Sequence, residues 1–316
     1  MPLTRHHKLK NLLHSALLII GMAGIAAACA WTLWGLQGVV WGFIGVALGL
    51  MATPSLSPEI ILGLYRGRPL PYRMIPELHA ALEELSRRAG LPAKPALYYV
   101  PSEISNAFAV GRPEQAAIAL TDGMLRTLSP REIVAVMAHE ISHLANNDLW
   151  IMNLADSLSR LTTLLSYLGI FLLALNLPLL LTNSLAIPWL LIALLILAPS
   201  LLTLLQLALS RAREYDADLD AVQLCGDPEA LATALEKLER SQGGLWENLL
   251  RPNQGFPQLA LLRSHPPTPE RVRRLMELKA EQVTTAAGHH AHPRLPLSGH
   301  WPWVTFPFRR WPGLRR

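Results

Sequence analysis

The sequence predicts an α-helical integral membrane protein with four transmembrane helices and a cytoplasmic α+β domain. Only 16% of its 316 residues are charged, against roughly 25% in ordinary soluble domains. Two long stretches, residues 11–58 and 161–210, contain no Asp, Glu, Lys or Arg. A membrane-spanning helix needs about 20 apolar residues. Each stretch therefore has room for two crossings joined by a short turn.

The residues in and beside these stretches predict where the chain turns and which way it faces. Turns are expected at 31–37 (WTLWGLQ), where tryptophans suit a membrane interface, and at 176–188 (NLPLLLTNSLAIP). The outer ends of the stretches carry the basic residues Arg5, Lys8, Lys10, Arg66, Arg68, Arg73, Arg211 and Arg213. Because neither turn is charged, the positive-inside rule places every charged segment and both termini in the cytoplasm.

The first uncharged stretch has an alternative interpretation. Its basic start and the small residues AAACA resemble a cleavable signal peptide or a lipoprotein cysteine. A second span follows at once, which favours a signal anchor. Glycines spaced along 38–49 match the small-xxx-small pattern of close helix contacts, although glycine is also frequent in membrane helices. Cys29 and Cys225 fall in separate segments and predict no disulfide.

The two hairpins divide the rest of the chain into predicted domains. The first hairpin takes residues 1–58 and the second 158–210, so the cytoplasmic domain consists of 59–157 and 211–282. Helical patterns are PELHAALEELSRRAG, LSPREIVAVMAHEISHL, SRAREYDADLDAVQLCG, DPEALATALEKLER and HPPTPERVRRLMELKAEQ, and short strands are ALYYV, NAFAV and AAIALT. The tail 283–316 has no acidic residue and predicts a disordered end, with an interfacial segment on anionic lipid as the alternative.

The strongest chemical signal is the motif HEISH within one of these helices. The helix has Ser129 as its N-cap and Glu132 to complete a capping box. His139 and His143 lie four residues apart on one helix face, so both imidazoles can hold one metal ion. Glu140 lies beside them, where a carboxylate can accept the proton of a metal-activated water. The motif predicts a zinc hydrolase that attacks peptide carbonyls.

A catalytic zinc site needs a third protein ligand and one open position. The residues after the motif, LANNDLW, exclude a third histidine on the same helix, so a carboxylate from elsewhere is required. SRAREYDADLD offers Glu214 as the ligand, with Asp218 one turn later to orient a ligand histidine through its other ring nitrogen. A charged helix that emerges from the membrane explains this stretch equally well. Asp148 is expected to be an ordinary solvated carboxylate, with an orienting role similar to that of Asp218 as the alternative.

HEISH, the apolar hairpin after it, SRAREYDAD and SHPPTPERV occur in this order along the chain. Over residues 10–282 the sequence resembles the HtpX-like membrane zinc metalloproteases, a branch of the gluzincins related to the CAAX prenyl proteases. The resemblance implies a zincin-type protease domain on the cytoplasmic side of a bacterial-type inner membrane. It also implies one Zn²⁺ on His139, His143 and Glu214, with Glu140 as the general base.

The same resemblance implies roles for residues around the metal. The segment NAFAVG resembles the edge strand of the family, which holds an extended substrate by main-chain hydrogen bonds, and Asn106 and Ala107 would border the cleft. His265 would stabilise the oxyanion. Arg271 would pair with Asp218.

The expected function is that of a zinc metalloendopeptidase that hydrolyses misfolded or membrane proteins in quality control. Its expected partners are polypeptide substrates, the lipid bilayer and a membrane AAA protease, with no nucleic acid. One alternative is a protease for prenylated C-termini, but four spans are too few for the large chamber of that branch. A second alternative is a zinc-stabilised membrane scaffold without hydrolysis, although no departure in the ligand set favours it.

Overall fold

The computed structural model describes residues 2–52, 57–181, 188–243 and 268–285. In chain order the elements are α1 (Pro2–Ala52), α2 (Pro58–Leu64), β1 (Arg68–Pro69), α3 (Pro76–Ala89), β2 (Ala96–Val100), β3 (Ala107–Arg112), β4 (Gln115–Thr121), α4 (Asp122–Thr127), α5 (Pro130–Ala145), α6 (Asp148–Leu181), α7 (Trp189–Cys225), α8 (Pro228–Gly243) and α9 (Thr268–Thr285). They form two compact units. The first contains α1, α6 and α7 as far as Asp216, and the second contains the remaining elements, including α7 from Ala217 onward.

Three helices of the described residues, α1, α6 and α7, are long and apolar enough to cross a membrane. The first two predicted spans both fall within α1, which leaves the helical conformation at Trp34 and Gly35. The chain folds back at this break. A Cβ atom built on Gly42 would lie 3.7 Å from the Cβ of Ala30, whereas one straight helix would separate these residues by about 18 Å along its axis.

The folded-back halves of α1 share a core with the other two helices of the first unit. Leu18 and Met22 from the first half and Val46 from the second are buried with Leu158 of α6 and Leu202 of α7. The second predicted turn begins later than expected, because α6 continues to Leu181. Pro178 lies inside α6. A proline is tolerated within an apolar membrane helix, because neighbouring groups can satisfy the backbone carbonyl that it leaves without a partner. Residues 182–187 of that turn lie outside the described residues.

The second unit contains a four-stranded sheet in the order β1-β2-β4-β3. Strands β2 and β4 are parallel, and the two outer pairs are antiparallel. The three predicted strands are confirmed as β2, β3 and β4. The two-residue β1 and the short helices α2 and α4 were too short to predict from periodicity. Helix α2 covers one face of the sheet, where Leu62 is buried with Val110, Ala117 and Ala119.

The predicted helices of the second unit are confirmed, and their ends follow the expected local chemistry. Helix α3 stops at Gly90, whose φ of 69° is the left-handed conformation that glycine adopts without strain. Helix α8 begins where the Asp227 side chain accepts a hydrogen bond from the Ala230 N–H at 3.2 Å. Helix α9 begins at Thr268. The predicted tail lies outside the described residues from 286 onward.

Candidate metal centre

Helix α5 carries the HEISH motif, and its start is fixed by a capping box. The Ser129 N–H donates to Glu132 Oε2 at 2.7 Å, and Lys237 of α8 donates to the same oxygen at 2.8 Å. Burial alone would raise the pKa of Glu132, but the hydrogen bonds from Lys237 and Ser129 outweigh it and hold the pKa below its ordinary value. The ionised Glu132 thus anchors α5 to α8.

The two histidines of α5 direct the same ring nitrogen to one point. His139 Nε2 and His143 Nε2 are 3.1 Å apart, and the rings meet nearly at right angles, with an interplanar angle of 87°. Two imidazole nitrogens on one tetrahedral zinc ion, at about 2.0–2.1 Å from the metal, would lie about 3.3 Å apart. His139 is buried and His143 is half-buried. The pair therefore matches the spacing of two zinc ligands.

Asp218 and Arg271 both contact the His139 ring, Asp218 at Nδ1 and Arg271 Nη2 at 3.5 Å from Nε2. Asp218 Oδ1 lies 3.1 Å from His139 Nδ1, which favours a proton on that nitrogen and leaves Nε2 as the donor to a metal. Arg271 Nε and Nη2 donate to the two carboxylate oxygens of Asp218 at 2.7 and 2.6 Å. Burial would raise the pKa of Asp218, but the charge of Arg271 and these hydrogen bonds hold it below the ordinary value. The carboxylate, which lies beyond the uncharged stretch of α7, is therefore ionised.

Glu214 lies on α7 one turn before Asp218, so the two side chains share a helix face. A carboxylate oxygen of Glu214 and one nitrogen from each of His139 and His143 all lie within 4.8 Å of one another. Two imidazoles and one carboxylate are a donor set that zinc accepts, and three protein ligands leave one coordination position for water. These residues fit a catalytic metal ion.

Two further contacts fix the register of α5 against the end of α7. Ser142 Oγ donates to the Ala217 carbonyl at 3.2 Å, and Asn146 Nδ2 donates to Asp220 Oδ2 at 2.9 Å. Sequence reasoning missed both residues. Ser142 and Asn146 follow His139 by three and seven positions, the spacing of one helix face, and this could have marked the face of α5 that meets another helix.

The expectation for Asp148 was wrong, because its carboxylate is 4% exposed and ion-paired. Arg213 Nε donates to Asp148 Oδ1 at 2.7 Å, and Arg213 Nη2 donates to the same oxygen. Arg213 Nη1 also reaches Asp216 at 3.3 Å. These buried charges tie the first residue of α6 to the turn of α7 that carries Glu214. The sequence gives no spacing signal for a pair of residues this far apart in the chain.

The general-base candidate Glu140 meets strand β3. Its Oε2 accepts a hydrogen bond from the Ala109 N–H at 3.1 Å, so the carboxylate lies at the strand. Of the predicted cleft residues, Ala107 is the first residue of β3 and Asn106 precedes it, with its carbonyl accepting from the Thr121 N–H at 3.1 Å. His265 lies outside the described residues, and its role stays a prediction.

The chain is similar in sequence to known peptidases. Residues 74–279 match peptidase family M48. A Protease HtpX homolog of Persephonella marina is 36% identical over 259 residues, which cover 75% of this chain and 86% of the relative. A Protease HtpX homolog of Paraburkholderia phytofirmans is 33% identical over 85% of this chain and 97% of its own length. A third relative of the same name, from Methylibium petroleiphilum, is 32% identical and covered over 99% of its length.

Proposed function

Because the chain belongs to peptidase family M48 and is a metalloprotease of the HtpX type, we propose that it is a zinc-dependent endopeptidase that cleaves misfolded or membrane proteins. The observation that carries this proposal is the cluster of His139, His143 and Glu214. Glu140 follows His139 directly in the chain, and its carboxylate accepts a hydrogen bond from strand β3. A metal site accounts for the HEISH motif, with His139, Glu140 and His143, and for the position of Glu214, which is distant in the chain but close to the two histidines.

His139, His143 and Glu214 would hold the metal ion. Bound zinc would supply a Lewis acid that polarises a water molecule and lowers its pKa to about 7. Asp218 keeps His139 in the tautomer that presents Nε2, and Arg271 keeps Asp218 ionised. The residues of the chain thus set the ligand geometry before any substrate arrives.

Glu140 would act as the general base. Its carboxylate takes a proton from the attacking water and delivers it to the nitrogen of the leaving amine, so that the peptide bond breaks into an acid and an amine. The substrate must therefore lie between the metal ligands and the strand that Glu140 contacts. Strand β3 is an edge of the sheet within the described residues, and an extended peptide would pair with it beside Asn106 and Ala107. His265 remains the proposed oxyanion donor.

The membrane topology proposed for this enzyme has four crossings, with the protease domain and both termini in the cytoplasm of a bacterial-type cell. The fold-back of α1 at Trp34 and Gly35 supports two crossings in that helix. The flanking basic residues support the orientation. Glu214 follows the second hairpin while both histidines precede it, so complete ligation requires the chain to have returned from the membrane. Insertion and activity are thereby coupled.

The proposed substrates are polypeptides of misassembled membrane proteins, with a membrane AAA protease as a co-working partner and no role for nucleic acid. A site at the lipid surface would meet the unfolded loops that such proteins expose. Capture on protein that lacks the general base, followed by mass spectrometry of the trapped chains, identifies these substrates. Recovery of prenylated C-termini alone would favour the prenyl-protease alternative.

Substitution of Glu140 by glutamine tests the proposal directly. The neutral amide cannot accept the proton, so cleavage of casein and of the chain itself should fall by about 10²–10⁴-fold. The metal content should remain one ion per chain, because the three ligands are untouched. Wild-type cleavage by Glu140→Gln would contradict the assigned base. Bound metal without turnover in the unmodified chain would favour a scaffold.

A further inference from the structure

The open edge of β3 has a defined set of main-chain groups. Strands β3 and β4 are antiparallel with Ala109 opposite Ile118, and the Thr121 N–H donates to the Asn106 carbonyl. In an antiparallel pair, residues alternate between those that exchange hydrogen bonds with the partner strand and those whose N–H and C=O face away. The pair of Asn106 and Thr121 belongs to the bonded set. Ala107, Ala109 and Gly111 therefore direct their main-chain groups away from β4, toward the open edge.

One of these outward groups is engaged with the catalytic helix. The Ala109 N–H donates to Glu140 Oε2 at 3.1 Å. Ala107 and Ala109 are both buried, and their side chains lie on the face of β3 opposite that of Val110, which packs against α2. Small side chains at these two positions let α5 approach the strand closely. The Glu140 carboxylate thus reaches the edge where an extended substrate would pair.

We infer that the main-chain amide of Ala109 is a positioning group for the general base, and this inference rests on the proposed function. A carboxylate on a flexible glutamate side chain samples several rotamers, and ordering such a side chain costs conformational entropy. A hydrogen bond from a fixed strand amide restricts it to one orientation. The same strand that aligns the substrate then aligns the base.

The hydrogen bond from the Ala109 N–H to Glu140 also sets the register of the substrate. A peptide added to β3 finds the outward groups of Ala107 and Gly111, but the Ala109 N–H is already used by Glu140. The added ladder therefore lacks the hydrogen bond from the Ala109 N–H, while the Ala109 carbonyl still faces the open edge. The peptide bond that crosses this gap lies beside the Glu140 carboxylate, which is where the scissile bond must be. Ala109 acts through Glu140 and takes no part in proton transfer itself.

Replacement of a single main-chain N–H tests the inference. Lactic acid, introduced at position 109 of the full-length chain by stop-codon suppression, exchanges the N–H for an ester oxygen and keeps the methyl side chain. The matched control carries lactic acid at position 107, whose N–H also faces the open edge but does not bond to Glu140. Ala109→Pro is a simpler variant that also removes the N–H, and proline is tolerated where an edge-strand N–H faces outward.

The two esters should separate into different kinetic effects on a fluorogenic peptide. Loss of a hydrogen bond to a charged group should lower kcat about 10–100-fold for the ester at 109, with KM changed less than about threefold. The ester at 107 should raise KM more than it lowers kcat, because it weakens substrate pairing. In the Glu140→Gln background the ester at 109 should change the residual rate by less than about twofold. The metal content should stay at one ion per chain throughout.

Three results would overturn the inference. The first is a kcat within about threefold of wild type for the ester at 109. The second is an equal kcat loss for the esters at 109 and 107, and the third is a loss that persists in Glu140→Gln. The proposed function fails separately, since it is refuted by wild-type cleavage of Glu140→Gln alone. If Ala109→Pro loses its metal or its fold, the ester variants decide the outcome.

Discussion

Arg271→Met should destabilise the protease unit far more than the loss of a surface arginine. The Arg271 side chain is almost completely buried. It donates two hydrogen bonds to the buried carboxylate of Asp218, and its positive charge balances the negative charge of the carboxylate. Methionine has a similar length and no charge. The substitution therefore leaves the buried Asp218 carboxylate without its countercharge, in a site where burial disfavours the ionised form.

The size of the effect follows from the burial of the pair. Opposite charges about 4 Å apart attract by about 4 kcal/mol at an effective dielectric constant of 20. Removal of one partner from a buried pair typically costs about 3–5 kcal/mol. Arg273 is the matched control on the same helix, because its side chain is 60% exposed and pairs with Glu270 at 2.8 Å. Such an exposed pair is screened by water and contributes little to stability.

Thermal unfolding of the full-length chain in detergent measures the difference. About 1 kcal/mol shifts the melting temperature of a unit of this size by about 2–4 °C. A loss of about 3–5 kcal/mol in Arg271→Met should therefore lower it by about 6–20 °C, whereas Arg273→Met should lower it by less than about 4 °C. Zinc affinity should fall about 10–100-fold in Arg271→Met alone, because Asp218 no longer holds His139 firmly. Equal melting temperatures and equal zinc affinities for the two variants would refute the role assigned to the buried pair.

Three further predictions concern the capping box, the first hairpin and the metal. Glu132→Gln keeps the cap but loses the charge that pairs with Lys237. Because the folded-state pKa of Glu132 is lowered, its stabilisation is full above about pH 5 and is lost as the pH falls from about 4.3 through that lowered pKa. Urea midpoints of wild type and variant should therefore differ near pH 7 and converge in acid, and a constant difference would contradict the prediction. Gly38→Ala should destabilise the fold-back of α1, because the added Cβ would clash with the Ala30 carbonyl oxygen. Gly45→Ala is the control, because a Cβ there meets no atom within 4 Å. Equal melting temperatures of these two variants would argue against the fold-back. A chelator should abolish cleavage and added zinc should restore it, so cleavage that survives complete removal of metal would exclude a metalloprotease.

The sequence allowed most of the helices to be predicted because their signals are local. Apolar length defines the membrane helices, and the capping residues Ser129 and Asp227 and the stop at Gly90 define where helices of the protease unit begin and end. The same local information could not show that α6 continues through its proline to Leu181. A proline breaks a helix in water, but an apolar environment with neighbouring helices permits it.

Some residues of the candidate site could be predicted from local sequence spacing, and others depend on contacts between distant parts of the chain. His139, Glu140 and His143 follow from the spacing within one helix. The ion pair of Asp148 with Arg213 and the contact of Glu140 with Ala109 depend on tertiary proximity, which no spacing along the chain encodes. Asp148 was predicted to be solvated because an isolated carboxylate beyond a helix end is usually exposed. Asp148 is instead buried because Arg213, which is also buried, supplies its countercharge.

Anomalous diffraction at the zinc edge, from crystals of the full-length chain, tests the central claim most directly. The account predicts one strong anomalous peak per chain, at about 2.0–2.2 Å from His139 Nε2, His143 Nε2 and a carboxylate oxygen of Glu214. The Glu214→Ala variant should bind zinc more weakly while its two histidines remain in place. A peak held by the histidines with Glu214 turned away, or a zinc ion bound at other residues, would contradict the account.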